Sequence, residues 1–95
     1  MRRTERRREV SFPLGRLSAT PGVLARLRPE QLFLLLGRHA AGDWGDCGAE
    51  DAAANDAALS AGGRLLSVYE TNGGTVWVVT EADRSATTAL LPSEY

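Results

Sequence analysis

RLLSVYETNGGTVWVVTEADRSATTALL, from Arg64 to Leu91, is the stretch on which the fold of this chain turns. Arg64 to Glu70 and Thr75 to Glu81 are rich in β-branched and aromatic residues, which suit a pleated strand. Thr71-Asn72-Gly73-Gly74 lies between them, and Asn-Gly supplies the positive φ angles of a tight hairpin turn. Ala82 to Ser85 reads as a second turn, and Ala86 to Leu91 as a third strand stopped by Pro92. Three consecutive strands with short turns predict an antiparallel meander.

Upstream, the signals change to those of helices. Gly62-Gly63 ends an alanine-rich helix over Ala49 to Ala61, with Asp46 as its expected cap and Glu50 and Asp51 in its first turn. Ala41 to Gly48 (AGDWGDCG) is a glycine-rich turn. Before it, Pro29 opens a helix expected to run to about His39. Its Leu32-Phe33-Leu34-Leu35-Leu36 run is apolar on every side, which predicts burial on more than one face. Leu32, Leu35 and Leu36 are expected to pack on Val68, Val76 and Val78, or on the set Leu66, Trp77 and Val79 from the other side of the meander. Thr20-Pro21 opens a shorter helix to about Leu27. Val10 to Ala19 looks extended; Pro13 holds Phe12 in an extended geometry and removes one ladder donor, so this is an edge or irregular strand. The expected fold class is α+β: a three- or four-stranded antiparallel sheet packed against two or three helices.

Ninety-five residues suit one domain with a thin core, read here as a flexible Arg-rich arm over residues 1–9 and a single α+β domain over 10–95. A hydrophobic fraction of 43% argues against disorder in that body. The longest apolar run, Leu32 to Leu36, is far below the roughly 20 residues of a membrane span. The charged start, with no apolar stretch after it, carries no secretory signal, and the lone Cys47 rules out a disulfide scaffold within the chain; both point to the cytoplasm. The arm holds Arg2, Arg3, Arg6, Arg7 and Arg8 against Glu5 and Glu9, whereas the rest has six Arg against ten Asp and Glu. The arm is the segment suited to phosphate contact, though it has no aromatic side chain to stack on bases. Lysine is absent and alanine abundant, a composition typical of a GC-rich bacterial genome.

Two polar clusters are the candidate functional residues. Arg38 to Asp46 holds the only histidine, His39, with Asp43 and Trp44; Thr80 to Thr88 packs Glu81, Asp83 and Arg84 among hydroxyl groups, including Thr87 and Thr88. Joined, they form a ribonuclease-like set: His39 and Glu81 as proton-transfer groups, Arg84 as a planar phosphate clamp, and Thr87 or Thr88 orienting substrate, with Asp43, Trp44 and Asp83 as binding residues. The same residues also have structural readings. Histidine suits the end of a helix, aspartates suit turns, Trp44 can plug the core, and Glu81 can pair with Arg84 across their own turn. His39, Asp43, Asp46 and Cys47 lack a further ligand for a metal site, Cys47 lacks a basic partner other than His39, and no phosphate-loop or dinucleotide fingerprint is present, so neither metal nor cofactor is expected.

FPLGRLSATPG (Phe12 to Gly22), RHAAGDWGD (Arg38 to Asp46), GRLLSVY (Gly63 to Tyr69) and VTEADRSATTALLPSEY (Val79 to Tyr95) resemble a family of small bacterial proteins of unassigned role, often plasmid- or phage-associated. Some members are labelled restriction-system subunits, yet the chain is too short for a methyltransferase domain and lacks its glycine-rich cofactor loop. The resemblance names a family and supplies no activity. The leading expectation is an accessory or interaction protein of a bacterial mobile genetic element, with the two polar clusters as its binding surface and a protein partner or RNA. The alternative, by analogy of size, element order and the His/Glu/Arg/Thr set, is a metal-independent ribonuclease or toxin-like enzyme of the barnase or RelE type.

Overall fold

The computed structural model describes residues 12–95; the Arg-rich arm lies outside them. The elements run β1 (Arg16–Ala19), α1 (Pro21–Arg26), α2 (Pro29–Ala40), α3 (Ala49–Ala61), β2 (Leu65–Thr71), β3 (Gly74–Thr80) and β4 (Ala86–Leu90), followed by a 3₁₀ turn over Pro92–Glu94. The fold class is α+β, a four-stranded sheet in the order β1-β4-β3-β2 with three helices. The meander is antiparallel, but β1 pairs with β4 in parallel, Arg16 opposite Ala86 and Ala19 opposite Ala89. A strand that enters through helices rather than a tight turn has this freedom.

Alternation along the strands assigns the faces. Leu65, Ser67 and Tyr69 of β2, Val76, Val78 and Thr80 of β3, and Thr87 and Ala89 of β4 are buried on the helix side. Leu35 and Leu36 of α2 and Val23 and Leu27 from the α1 region meet Tyr69, Val76, Val78 and Ala89 there, with Leu32 partly buried beside them. Val68 is not part of this set: it opposes Trp77 on the other face, and Tyr69 takes the position expected for it. Burial of each fully buried Val or Leu side chain in this set contributes about 1.5–3 kcal/mol.

The apolar helix α2 is buried on one face only. Leu35, Leu36, His39 and Ala40 face the sheet, while Phe33 and Leu34 are 64% and 70% exposed. The expectation of burial on several faces fails because helix and sheet form two layers, and no described element lies over the outer side of α2. Two further local expectations change. The N-cap of α3 is Gly48, without a side-chain bond; Asp46 instead accepts from the Glu70 amide at 3.0 Å. In the β2–β3 turn the positive φ falls on Gly74, not on Asn72-Gly73, and the Thr71 hydroxyl holds the turn, accepting from Gly73 N at 3.0 Å and donating to Gly74 O at 2.6 Å.

The AGDWGDCG loop closes the outer edge of β2. Val68 N donates to Trp44 O and Asp46 N donates to Val68 O, a short parallel bridge, while Asn55 of α3 takes both the amide and the carbonyl of Leu66. These bonds satisfy groups that would otherwise form an open pairing edge. At the other end of the chain, Glu94 accepts from Thr20 Oγ1 and from the amides of Gly22 and Leu91, tying the C-terminal turn to the start of α1.

Candidate functional site

His39 projects from the last turn of α2 into the sheet and is fully buried. Its Nδ1 lies 2.6 Å from Ser67 Oγ, and its Nε2 lies 2.8 Å from Thr80 Oγ1. Thr80 Oγ1 is 2.6 Å from Thr87 Oγ1, which donates at 2.7 Å to the Leu14 carbonyl. Ser67, Thr80 and Thr87 are themselves fully buried.

The last bond fixes the direction of the rest. Each hydroxyl has one proton. Thr87 spends its proton on Leu14 O, so it accepts from Thr80; Thr80 then accepts from His39 Nε2–H, and Nδ1 accepts from Ser67. A neutral imidazole protonated at Nε2 satisfies every member of the row. Burial lowers the His39 pKa from 6.5 to about 4, in keeping with that neutral form. The rings of Phe12 and Trp44 stand edge-on to the imidazole, at centroid distances of 5.3 and 5.7 Å.

The rest of the first cluster packs around this row. Asp43 holds the Arg38 guanidinium at 2.7 Å and over the Tyr69 ring, accepts from Gly45 N, and takes the Tyr69 hydroxyl on its carbonyl at 2.6 Å. Burial pushes the Tyr69 hydroxyl up to about 12. Trp44 is buried against Phe12 and Leu65 and donates from Nε1 to Asp56 of α3 at 2.9 Å. Burial raises the Cys47 thiol, which disfavours the thiolate a nucleophile needs. Among the described residues, no three of His, Cys, Asp and Glu come together as a metal site, and no helix is long and apolar enough to cross a membrane.

The second cluster divides. Arg84, at φ +62°, donates to the carbonyls of Gly63, Glu81 and Ala82 through one nitrogen and to Ala58 through the other. It thereby places a cation at the C-terminal end of α3, whose own last turn has no basic residue. The expected Glu81–Arg84 side-chain pair does not form: Arg84 binds the backbone of Glu81, and the Glu81 carboxylate faces Arg64 at 3.7 Å with both side chains half exposed. Asp83 accepts from the Ser85 amide, and hydrogen bonding to Ser85 lowers its pKa. Thr88 points to the face opposite Thr87 and bonds Ser18 at 2.9 Å.

Of the candidate residues, His39 and Thr87 thus share one buried row; Trp44 packs beside it, while Glu81, Asp83 and Thr88 sit at the surface turn or on the other face. Of the direct partners of His39, Ser67 was missed from sequence, and Thr80 was read only as the first residue of the second cluster, with no role of its own. Their signal is period two: each alternates with residues of the dry face, Ser67 between Leu65 and Tyr69 and Thr80 after Val76 and Val78. Compared with known protein families, curated proteins and solved structures, the chain gives no match.

Proposed function

We propose that this chain is a non-catalytic interaction module, an accessory protein that docks a protein partner through the outer face of α2 and the adjoining edge of β1. The observation that carries the reading is Phe33 and Leu34, neighbours in sequence and 64% and 70% exposed. Single exposed apolar residues are ordinary, whereas contiguous ones mark interaction surfaces. Here they are contiguous. A shallow groove of about 670 Å³ joins Phe33, Leu34, Gly37 and Ala41, and a second, of about 190 Å³, joins Phe33 and Leu32 to Leu17 and Ala19 of β1. Leu17 is itself 45% exposed. Arg16 and Thr20 donate inward to Ser85 and Ala89 of the β4 side, so alternation turns the backbone of Leu17 and Ala19 outward.

The competing ribonuclease needs an imidazole that reaches substrate. His39 is enclosed and Arg84 is committed to four carbonyls, which supports the interaction reading over the enzyme. Six Arg against ten Asp and Glu over residues 10–95 also make the domain a poor host for polyphosphate. The resemblance of its motifs to plasmid- and phage-associated proteins fits an accessory role in a bacterial mobile element.

Two assays test this reading. Tagged wild-type protein is compared with Phe33→Asp and Leu34→Asp in capture from bacterial extract; the expected result is a bound protein lost from both variants. Purified protein is incubated with mixed cellular RNA, with and without chelator. RNA cleavage that disappears in Glu81→Gln, a surface substitution, would overturn the proposal in favour of the ribonuclease.

A further inference from the structure

We infer that the outer face of α2 binds a second copy of this chain, the two helices crossing antiparallel about a two-fold axis. The inference rests on reading that face as a docking surface and names its occupant. The stripe consists of Glu30, Phe33, Leu34, Gly37, Arg38 and Ala41, the spacing of one side of a helix. Its first five members are exposed, and Ala41 is half-buried.

The order of charge and bulk along the stripe selects the occupant. A side-chain carboxylate, Glu30, stands at the N-terminal end, 69% exposed and 3.9 Å from Arg28; a guanidinium, Arg38, stands at the C-terminal end, 46% exposed and paired with Asp43. Between them bulky residues are followed by small ones. Reversing such a stripe about a point midway between Leu34 and Gly37 yields its own complement: Leu34 of one copy meets Gly37 of the other, Phe33 lies along the Arg38 stem, and Glu30 lies opposite Ala41, about 4.5 Å along the axis from Arg38 and within reach of its side chain. A two-fold contact requires this self-complementarity, because the same patch serves both subunits. Antiparallel helices also set opposite ends of their dipoles side by side. Asp43 already pairs with the Arg38 guanidinium and holds it in place, so Glu30 of the other copy adds a second carboxylate to an ordered cation, and the apolar contact carries most of the association.

Gly37 adds an independent argument. It lies inside a helix, where glycine is unfavourable relative to alanine. Its φ is not positive, and a Cβ built there meets nothing within 4 Å, so the chain itself does not require glycine at this position. A facing Leu34 from a second copy does. The stripe is smaller than the roughly 20–30 residues a side of a standard interface, so association is expected to be concentration-dependent, in the micromolar range or above.

Sedimentation equilibrium of the full chain, from micromolar to millimolar concentration at low and high salt, is the test. The expected result is the mass of two chains at the upper end, weakened by salt. Phe33→Asp and Gly37→Leu should each weaken association by about tenfold or more, with far-ultraviolet circular dichroism unchanged. Gly37→Leu should in addition raise the melting temperature of the monomer, which separates lost association from lost folding. Glu30→Arg should weaken the dimer and remove most of its salt dependence. A wild-type chain that stays monomeric throughout overturns the second-copy inference. If Phe33→Asp still abolishes capture of another protein, the docking face stands without self-association; if capture is unaffected as well, both readings fall. A dimer indifferent to Phe33→Asp and Gly37→Leu places the contact elsewhere and also overturns the inference.

Discussion

His39 Nδ1 and Ser67 Oγ lie 2.6 Å apart, and both residues are fully enclosed between α2 and the sheet. A serine at hydrogen-bond distance from an imidazole is the spacing of an activated nucleophile. Here the serine proton is directed at the imidazole and the imidazole proton at Thr80, so the pair begins a row of donors that ends on the Leu14 carbonyl. The row joins α2, β2, β3, β4 and the segment leading into β1. It adds directional polar bonds between these elements to the apolar packing of Val23, Leu35, Leu36, Tyr69, Val76 and Val78.

Stability should therefore depend on pH through His39. Its folded pKa of about 4 lies below the 6.5 of an unfolded histidine, so the unfolded state binds more protons between those values. Stability is full above about pH 6.5, falls as the pH drops toward 4, and changes no further from this group below that. The loss amounts to about 3 kcal/mol. Asp83 and Glu94, whose pKa values are lowered by hydrogen bonds to Ser85 and Thr20 respectively, lose their contributions at lower pH, through and below the usual carboxylate range. Urea denaturation at pH 7, 6, 5 and 4.5 separates the two windows. Flat stability from pH 6.5 to 5 would show that the imidazole is hydrated.

The meander, the helix starts at Pro21 and Pro29 and the bounds of α3 were legible because local chemistry sets them: prolines, a glycine pair and β-branched runs. What escaped the sequence depends on tertiary partners. Asp46 caps nothing because the β2 edge offers it the Glu70 amide. Arg84 caps α3 from a turn 26 residues away, a service no local pattern announces. The Leu32–Leu36 run reads as a buried helix because composition cannot tell a face covered within the chain from one left exposed. His39 was legible as special, but whether it is special for chemistry or for packing depends on the hydroxyls that face it.

The hydroxyl row should be costly to interrupt, and its neighbour on the other face should not. Thr80→Val leaves the His39 Nε2–H and the Thr87 oxygen without a partner in a dry site, and should cost about 1–3 kcal/mol. Thr88→Val, one residue from Thr87 but bonded to exposed Ser18, should change stability by less than about 0.5 kcal/mol. Equal effects in urea denaturation would contradict the face assignment.

Arg84 and Glu81 should behave independently. Arg84→Ala frees the carbonyls of Ala58 and Gly63 and should cost about 1–3 kcal/mol, with α3 exchanging its amide protons faster. Glu81→Gln removes only a half-exposed ion pair and should be near neutral, within about 0.5 kcal/mol. Because their side chains do not meet, the double variant should equal the sum of the singles. A coupling well above measurement error would mean that the two side chains pair in solution after all.

Closure of the β2 edge makes the sharpest demand on a single residue. Gly45 has φ +75°, and a Cβ there would overlap the Val68 carbonyl oxygen and the Tyr69 ring. Gly45→Ala must either push the loop off β2 or distort the strand, and each response breaks the bridge through Trp44 O and Asp46 N. The cost should be about 3 kcal/mol or more, since left-handed strain adds to lost edge bonds. Gly48→Ser, three residues on, is the control. Gly48 has an ordinary φ of −67°, open space at its Cβ and the uncapped start of α3, so serine there should be neutral or stabilising by a few tenths of a kcal/mol. Melting curves of the two variants should move in opposite directions or leave only the second unchanged. A Gly45→Ala protein that melts like wild type, with the Val68 amide still protected from exchange, would show that the loop does not close this edge.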